Sequence, residues 1–382
     1  MSELINKKGR IESIDLLRGV IMLIMALDHT RGYFHWNFFE PTDLEETNAA
    51  LFATRWITHF CAPVFVFLSG TSAYLVSQKL NTKWALSRWL ITRGLWLIFL
   101  EFTIVQMVWT FGIQFHDLAF MVIGAIGVSM IVLGSLSWLP SKLILILGIV
   151  IVAGHNLFDW YHPEHNFLWD LLHTKGVYDF ENGYTLWIAY PVLPWIGVIF
   201  CGFGFGRLYT KNIKPALRKN WLLYLGIGLS LLFIGLRLSN IYGDNYEWGH
   251  EVHPILSFFN TTKYPPSFLY LCMTIGPSLL FLRFTERPMK WLGRNIVAIG
   301  RVPLFFYIIH IACINALSIM VGLLCGLPIG TFFGYAEWPE DYNFGLLATY
   351  GFWLLVVISL WPLCWWYNQV KSKSNSWVLK YL

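Results

Sequence analysis

Apolar runs of about 20 residues, long enough to cross a bilayer as helices, recur along the whole chain. Ten are visible: 14–34, 55–78, 88–110, 118–137, 141–158, 186–208, 221–240, 266–284, 298–322 and 345–368. Polar segments separate them. There is no internal repeat, low-complexity tract or composition break. The pattern predicts an all-α, polytopic transmembrane bundle of about ten spans, folded as one domain over 1–382. The first run continues past any plausible cleavage site, so it reads as a retained span rather than a signal peptide.

The polar positions inside these runs carry the functional information. The stretch "SIDLLRGVIMLIMALDHTRGYFHW" (13–36) is apolar enough for a span, yet holds Asp15, Arg18, Asp28, His29 and Arg31. On a helix Arg18 and His29 share one face about 16 Å apart along the axis. Asp15 lies one turn before Arg18 and can pair with it. A structural reading covers part of this: Asp15 suits a helix N-terminus and Arg18 can snorkel to the interface. Ionisable groups within a span otherwise face the bundle interior and mark function. That points to Asp28 and His29, against the alternative of a hydrogen-bonded structural histidine. His59, Glu101 and His310 are further buried polar candidates.

Composition agrees with the membrane reading. Of 382 residues 56% are hydrophobic and only 13% charged, against about 25% charged in soluble domains. The formal net charge of +5 therefore says nothing for nucleic acid; its distribution is what matters. With a cytoplasmic N-terminus, 21 of the 27 Lys and Arg fall on the inner side, in 7–10, 79–93, 142, 207–219, 283–301 and 371–380. This is the positive-inside bias, and it places both termini in the cytoplasm. Most histidines lie on or near the outer side, with the carboxylates and aromatics of 159–185 and 241–265. Trp160, Tyr246 and Trp248 there suit either an interfacial belt or stacking on a sugar.

Several motifs are set aside. Gly202, Gly204 and Gly206 lie in a span with no strand before them, so they read as helix-packing positions and not a dinucleotide loop. His162-Pro-Glu-His165 lacks further ligands, so no metal is expected. The six cysteines sit in apolar surroundings without a CxxC pair and read as buried hydrophobes.

Taken together, "RIESIDLLRGVIMLIMALDHTR", "APVFVFLSGTSAYL", "YPVLPWIGVIFCGFGFGRLY", "YPPSFLYLCMTIGP" and "GRVPLFFYIIH" resemble bacterial proteins related to the catalytic domain of heparan-α-glucosaminide N-acetyltransferase, from Arg10 to about residue 320. The resemblance implies a membrane acyltransferase in a bacterial inner membrane. It would move an acyl group, expected to be acetyl, from cytosolic acyl-CoA to an amine or hydroxyl of a sugar or glycan on the outer side. Arg18-x10-His29 fits the spacing of wider relatives that acylate surface glycans. In the animal enzymes the position matching His29 need not be His, so His35 stands as a second candidate, and His310 matches the family's FFYxxH histidine.

Imidazole suits acyl transfer as base or nucleophile. Asp28 and Glu101 are the carboxylates able to fix its tautomer. CoA phosphates call for cations, for which Arg18, Arg93, Lys290, Arg294 and Arg301 are candidates, though topology alone also explains each. The alternatives are a secondary transporter or flippase of a polar or sugar-containing substrate, and a non-catalytic membrane scaffold. Acyl-CoA turnover, with His29→Ala as control, separates them.

Overall fold

The computed structural model describes residues 11–35, 39–112, 116–161, 163, 164, 166–181, 183–249, 252–287, 289–332, 339 and 342–374. In chain order its helices are α1 (Glu12–Phe34), α2 (Ala49–Ile57), α3 (Cys61–Ser77), α4 (Lys83–Leu100), α5 (Gln106–Thr110), α6 (Val122–Leu136), α7 (Ser141–Gly154), α8 (Phe167–Leu172), α9 (Val192–Phe205), α10 (Pro215–Ser239), α11 (Pro254–Phe259), α12 (Phe268–Thr285), α13 (Trp291–Gly300), α14 (Pro303–Leu324) and α15 (Leu346–Lys373). Local chemistry sets several starts. The Asn48 side chain accepts from the amides of Ala50 and Leu51 at α2, Thr82 caps α4, and Pro215 and Pro303 open α10 and α14, where a missing N–H costs nothing.

All ten expected segments are largely helical. Among the described residues eight continuous helices are long and apolar enough to cross a membrane: Ala49–Ser77, Lys83–Thr110, Ser141–Phe158, Val192–Tyr209, Pro215–Ser239, Phe268–Thr285, Pro303–Leu324 and Leu346–Lys373. The other two segments differ for physical reasons. α1 carries too many charges to qualify by composition, and α6 has 15 residues. The fold is a polytopic transmembrane helical one. The lipid-facing character is plain on α15, where Leu347, Leu354, Leu355, Ile358, Leu363, Trp365 and Trp366 are exposed, a patch far too apolar for water.

One feature departs from the all-helical pattern. A small sheet of order β1-β3-β2 forms from β1 (Asp117–Phe120), β2 (Gly176–Asp179) and β3 (Thr185–Ile188). β1 runs parallel to β3 and β2 antiparallel to it. The expected spans at 118–137 and 186–208 therefore begin as strands, and their helices start later, at Val122 and Val192. Gly183, at φ +79°, supplies the left-handed residue in the turn from β2 to β3.

The chain folds as two compact units. The first comprises 1–61, 103–115 and 285–382; the second comprises 62–102 and 116–284. In the second unit α9 is buried along nearly its whole length. A Cβ on Gly202 there would strike the carbonyl oxygen of Phe67, so this glycine is a packing position as the sequence suggests. In the first unit α1 is the central helix, with residues buried on all its faces. It crosses α13 at Gly19 and Gly300. A Cβ on Gly19 would collide with the backbone oxygen of Ile296, and one on Gly300 with that of Asp15. Because backbone atoms are in the way, no side-chain rotation relieves the clash.

This crossing predicts a sharp contrast between glycines. Gly19→Ala or Gly300→Ala should destabilise the purified protein by about 1–3 kcal/mol through overpacking, read as a lower melting temperature. Gly228 on α10 has open space at its Cβ, so Gly228→Ala should leave stability unchanged or raise it by up to ~1 kcal/mol. Equal tolerance at all three positions would contradict the crossing.

Candidate active site

The first unit brings His29 and His310 together although 281 residues separate them. His29 Nδ1 lies 2.7 Å from His310 Nε2, with the rings stacked at 4.9 Å. His310 is fully buried. Its Nδ1 lies 2.7 Å from the carbonyl oxygen of Phe306, which can only accept. His310 Nδ1 therefore carries the proton, and in the neutral ring Nε2 accepts. His29 Nδ1–H then donates to it, leaving the lone pair of His29 on Nε2. One helix carbonyl thus orders two tautomers in series, the second-partner logic common to histidine sites.

Aromatic rings hold this pair. Phe306 stacks on His310 at 5.0 Å, while Trp109 and Tyr307 meet His29 edge-to-face at 4.8 and 6.2 Å. Trp109 is itself fixed through its carbonyl oxygen, which accepts from Tyr33 Oη at 2.7 Å and from Asn315 Nδ2 at 3.0 Å. Two buried polar atoms here make no hydrogen bond among the described residues: the indole Nε1 of Trp109 and the amide Oδ1 of Asn315. Buried polar groups are rarely left so. Sequence reasoning missed both residues. Trp109 ends an apolar run like many belt tryptophans, and Asn315 carries no charge to flag it.

The expected carboxylates lie elsewhere. Asp28 pairs with Arg31 at 3.2 Å and with Arg55 at 2.6 Å. The group on His29 Nδ1 is thus an imidazole in place of the carboxylate expected from Asp28 or Glu101. Glu101, in the second unit, is buried and accepts from the amides of Met121 at 2.7 Å and Gly124 at 3.2 Å. It closes the start of α6, where free amides and the helix dipole favour an anion.

The other histidines singled out in the sequence have different surroundings. His35 Nδ1 lies 2.5 Å from the carbonyl oxygen of Phe344 and donates to it. His59 is buried in the short turn Thr58–Phe60. His162 and His165 lie outside the described residues.

The candidate phosphate-binding cations divide into three kinds. Arg18 and Arg301 are both engaged by Asp15, at 3.1 and 3.3 Å, and Arg301 also reaches Glu12 at 3.6 Å. Arg93 belongs to the second unit and lies over the Trp89 ring. Lys290 and Arg294 are exposed at the start of α13. The second unit also contains a largely apolar cavity of about 920 Å³, with Gln78, Arg207 and Asn212 among its few polar lining residues.

No curated protein matches the chain. The family model described as heparan-alpha-glucosaminide N-acetyltransferase, catalytic, matches residues 10–242. His29 lies inside the match; His310 lies beyond it. Since the match covers more than half of the chain and the fold is a polytopic membrane one, the protein belongs to this family of transmembrane acetyltransferases.

Proposed function

We propose that the protein transfers an acyl group, acetyl in the first instance, from cytosolic acyl-CoA to an amine or hydroxyl of a sugar on the other side of the membrane. His29 is the general base. The observation that carries this reading is the hydrogen-bonded series Phe306 carbonyl, His310, His29, which leaves a basic Nε2 on His29. Family membership supports the reaction class. Both termini are cytoplasmic in this scheme, the arrangement favoured by the distribution of basic residues.

In the reaction the acceptor N–H or O–H gives its proton to His29 Nε2 as its heteroatom bonds the thioester carbonyl carbon. The carbonyl oxygen then becomes an oxyanion, and a buried donor stabilises it. Trp109 Nε1–H, without a hydrogen-bond partner among the described residues and on the ring that packs against His29, fits that part. Collapse breaks the C–S bond, and the CoA thiolate takes the proton from His29. His310 touches neither substrate in this scheme and acts as a positioning residue, holding the tautomer and orientation of His29.

His29→Ala should lower kcat at least 10²–10⁴-fold, the usual worth of general-base help, with acyl-CoA affinity little changed. His310→Ala should lower kcat with KM for acyl-CoA nearly constant, because the base loses its fixed tautomer. Full activity in His29→Ala with loss in His35→Ala would move the chemistry to His35.

Trp109→Phe keeps an aromatic ring and removes the N–H. It should cost about 10²–10³ in kcat, as for one oxyanion donor. An unchanged kcat would leave Trp109 a packing residue.

Arg18 and Arg301 already neutralise carboxylates and Arg93 packs over Trp89 in the second unit, so the exposed Lys290 and Arg294 are the cations best placed in the first unit to meet CoA phosphates from the cytoplasm. Lys290→Glu and Arg294→Glu should weaken acyl-CoA binding, more at low ionic strength than high. Lys290→Cys should react with impermeant reagents only from the cytoplasmic face. Unaltered CoA affinity in both charge reversals would remove the assignment.

A further inference from the structure

The second unit contains a cluster that acyl transfer does not use. His155 and Asp159 lie four residues apart, where α7 runs into the turn His155–Phe158. His173 follows α8, its amide donating to the Trp169 carbonyl oxygen at 2.7 Å. One donor atom from each of the three side chains lies within 4.8 Å of the others. His155 is 1% exposed and His173 not at all. His173 Nε2 is 2.8 Å from Asp159 Oδ1, yet among the described residues its Nδ1 has no hydrogen-bond partner, and neither ring nitrogen of His155 has one. An imidazole buried with both nitrogens unsatisfied carries a desolvation cost that nothing among the described residues offsets. A protonated His173 paired to Asp159 would leave His155 as it is.

We propose that His155, Asp159 and His173 bind a divalent transition-metal ion, zinc by the class of its donors. Two imidazoles and one carboxylate form a nitrogen-rich set of three, which suits zinc and not the oxygen-seeking magnesium or calcium. Zinc bonds such ligands at about 2.0–2.2 Å, which sets tetrahedral donors about 3.4 Å apart, so the widest pair must close by up to about 1.4 Å, within reach of a side-chain rotation. The surroundings support ligation. Asn156 Nδ2 donates to Asp159 Oδ2 at 2.7 Å, while its Oδ1 accepts from the amide of Phe268 at 2.8 Å. This is the outer hydrogen bonding that orients a ligating carboxylate. Trp169 and Phe158 pack against the His173 ring at 5.2 and 6.4 Å and restrict its rotation. The ion would tie the end of α7 to the segment after α8. The sequence expectation of no metal examined His162 and His165; the two buried imidazoles here are 18 residues apart, so only folding pairs them.

The test uses the full-length protein purified in detergent, stripped with a chelator, dialysed and titrated with zinc alone. One tightly held equivalent is expected, with a rise in melting temperature on zinc addition, and cobalt(II) should give the visible bands of a four-coordinate site. His155→Ala and His173→Ala should abolish all three signals. Asn156→Ala should weaken zinc binding about 10–100-fold. If a histidine variant does not yield folded protein, Asp159→Asn, which keeps the side-chain shape, carries the decision through the same loss. Failure of the wild type to retain zinc overturns the proposal. So does a stoichiometry and affinity unchanged in both histidine variants and in Asp159→Asn, which would place the ion on other residues.

Discussion

An ionisable group on an apolar helix needs a partner, and α1 meets that constraint along its length. Glu12 and Asp15 face Arg301, Asp15 also holds Arg18, Asp28 holds Arg31 and Arg55, and His29 faces His310. Removing one member would leave a buried charge without its counterpart, the costly case for ion pairs. Arg18 and Arg31 come from α1 itself, and the other partners from α2, α14 and the link between α13 and α14. The first unit is therefore organised around the polar positions of one helix. The glycine crossing acts at the same place, since Gly300 and Arg301 bring both backbone and guanidinium to Asp15.

The same logic recurs in the second unit with backbone groups as partners. Arg237, 1% exposed, donates to the carbonyl oxygens of Phe258, Tyr246, Ser257 and Asn260. Asp244 accepts from the Thr262 amide and from the Thr262 and Ser267 hydroxyls. The polar segment between α10 and α12 thus closes on a buried cation and an acidic turn. Backbone polar groups in a connecting segment must be satisfied somewhere, and here one guanidinium satisfies four.

What the sequence makes legible follows from the range of the interactions involved. The length of apolar runs marks all ten helical segments, because burial in lipid or core is decided residue by residue. His29 is legible for a related reason: an imidazole in an apolar run stands out without knowledge of its neighbours. Its partner is not, since Asp28 is adjacent in sequence but turns to Arg55, and His310 arrives only through folding. Glu101 shows the same limit. Its carboxylate meets amides that begin 20 residues later, at a helix start displaced by an unexpected strand. The short strands escape notice because four-residue runs such as Thr185–Ile188 merge into the apolar segment that follows.

An imidazole in place of a carboxylate beside His29 has a chemical rationale. An aspartate there would add an ion to a core in which every other charge needs a counter-charge, and the histidine pair would need a third member. Two neutral imidazoles ordered by a helix carbonyl deliver a defined tautomer with no net charge. The cost of that arrangement is a weaker electrostatic pull on the imidazolium formed during proton transfer. In the proposed transfer a thioester donor would tolerate it, because a thiolate leaves readily and needs little acid assistance. In that scheme the base would have only to accept the acceptor's proton and pass it to the thiolate, which suits a histidine held by orientation more than by charge.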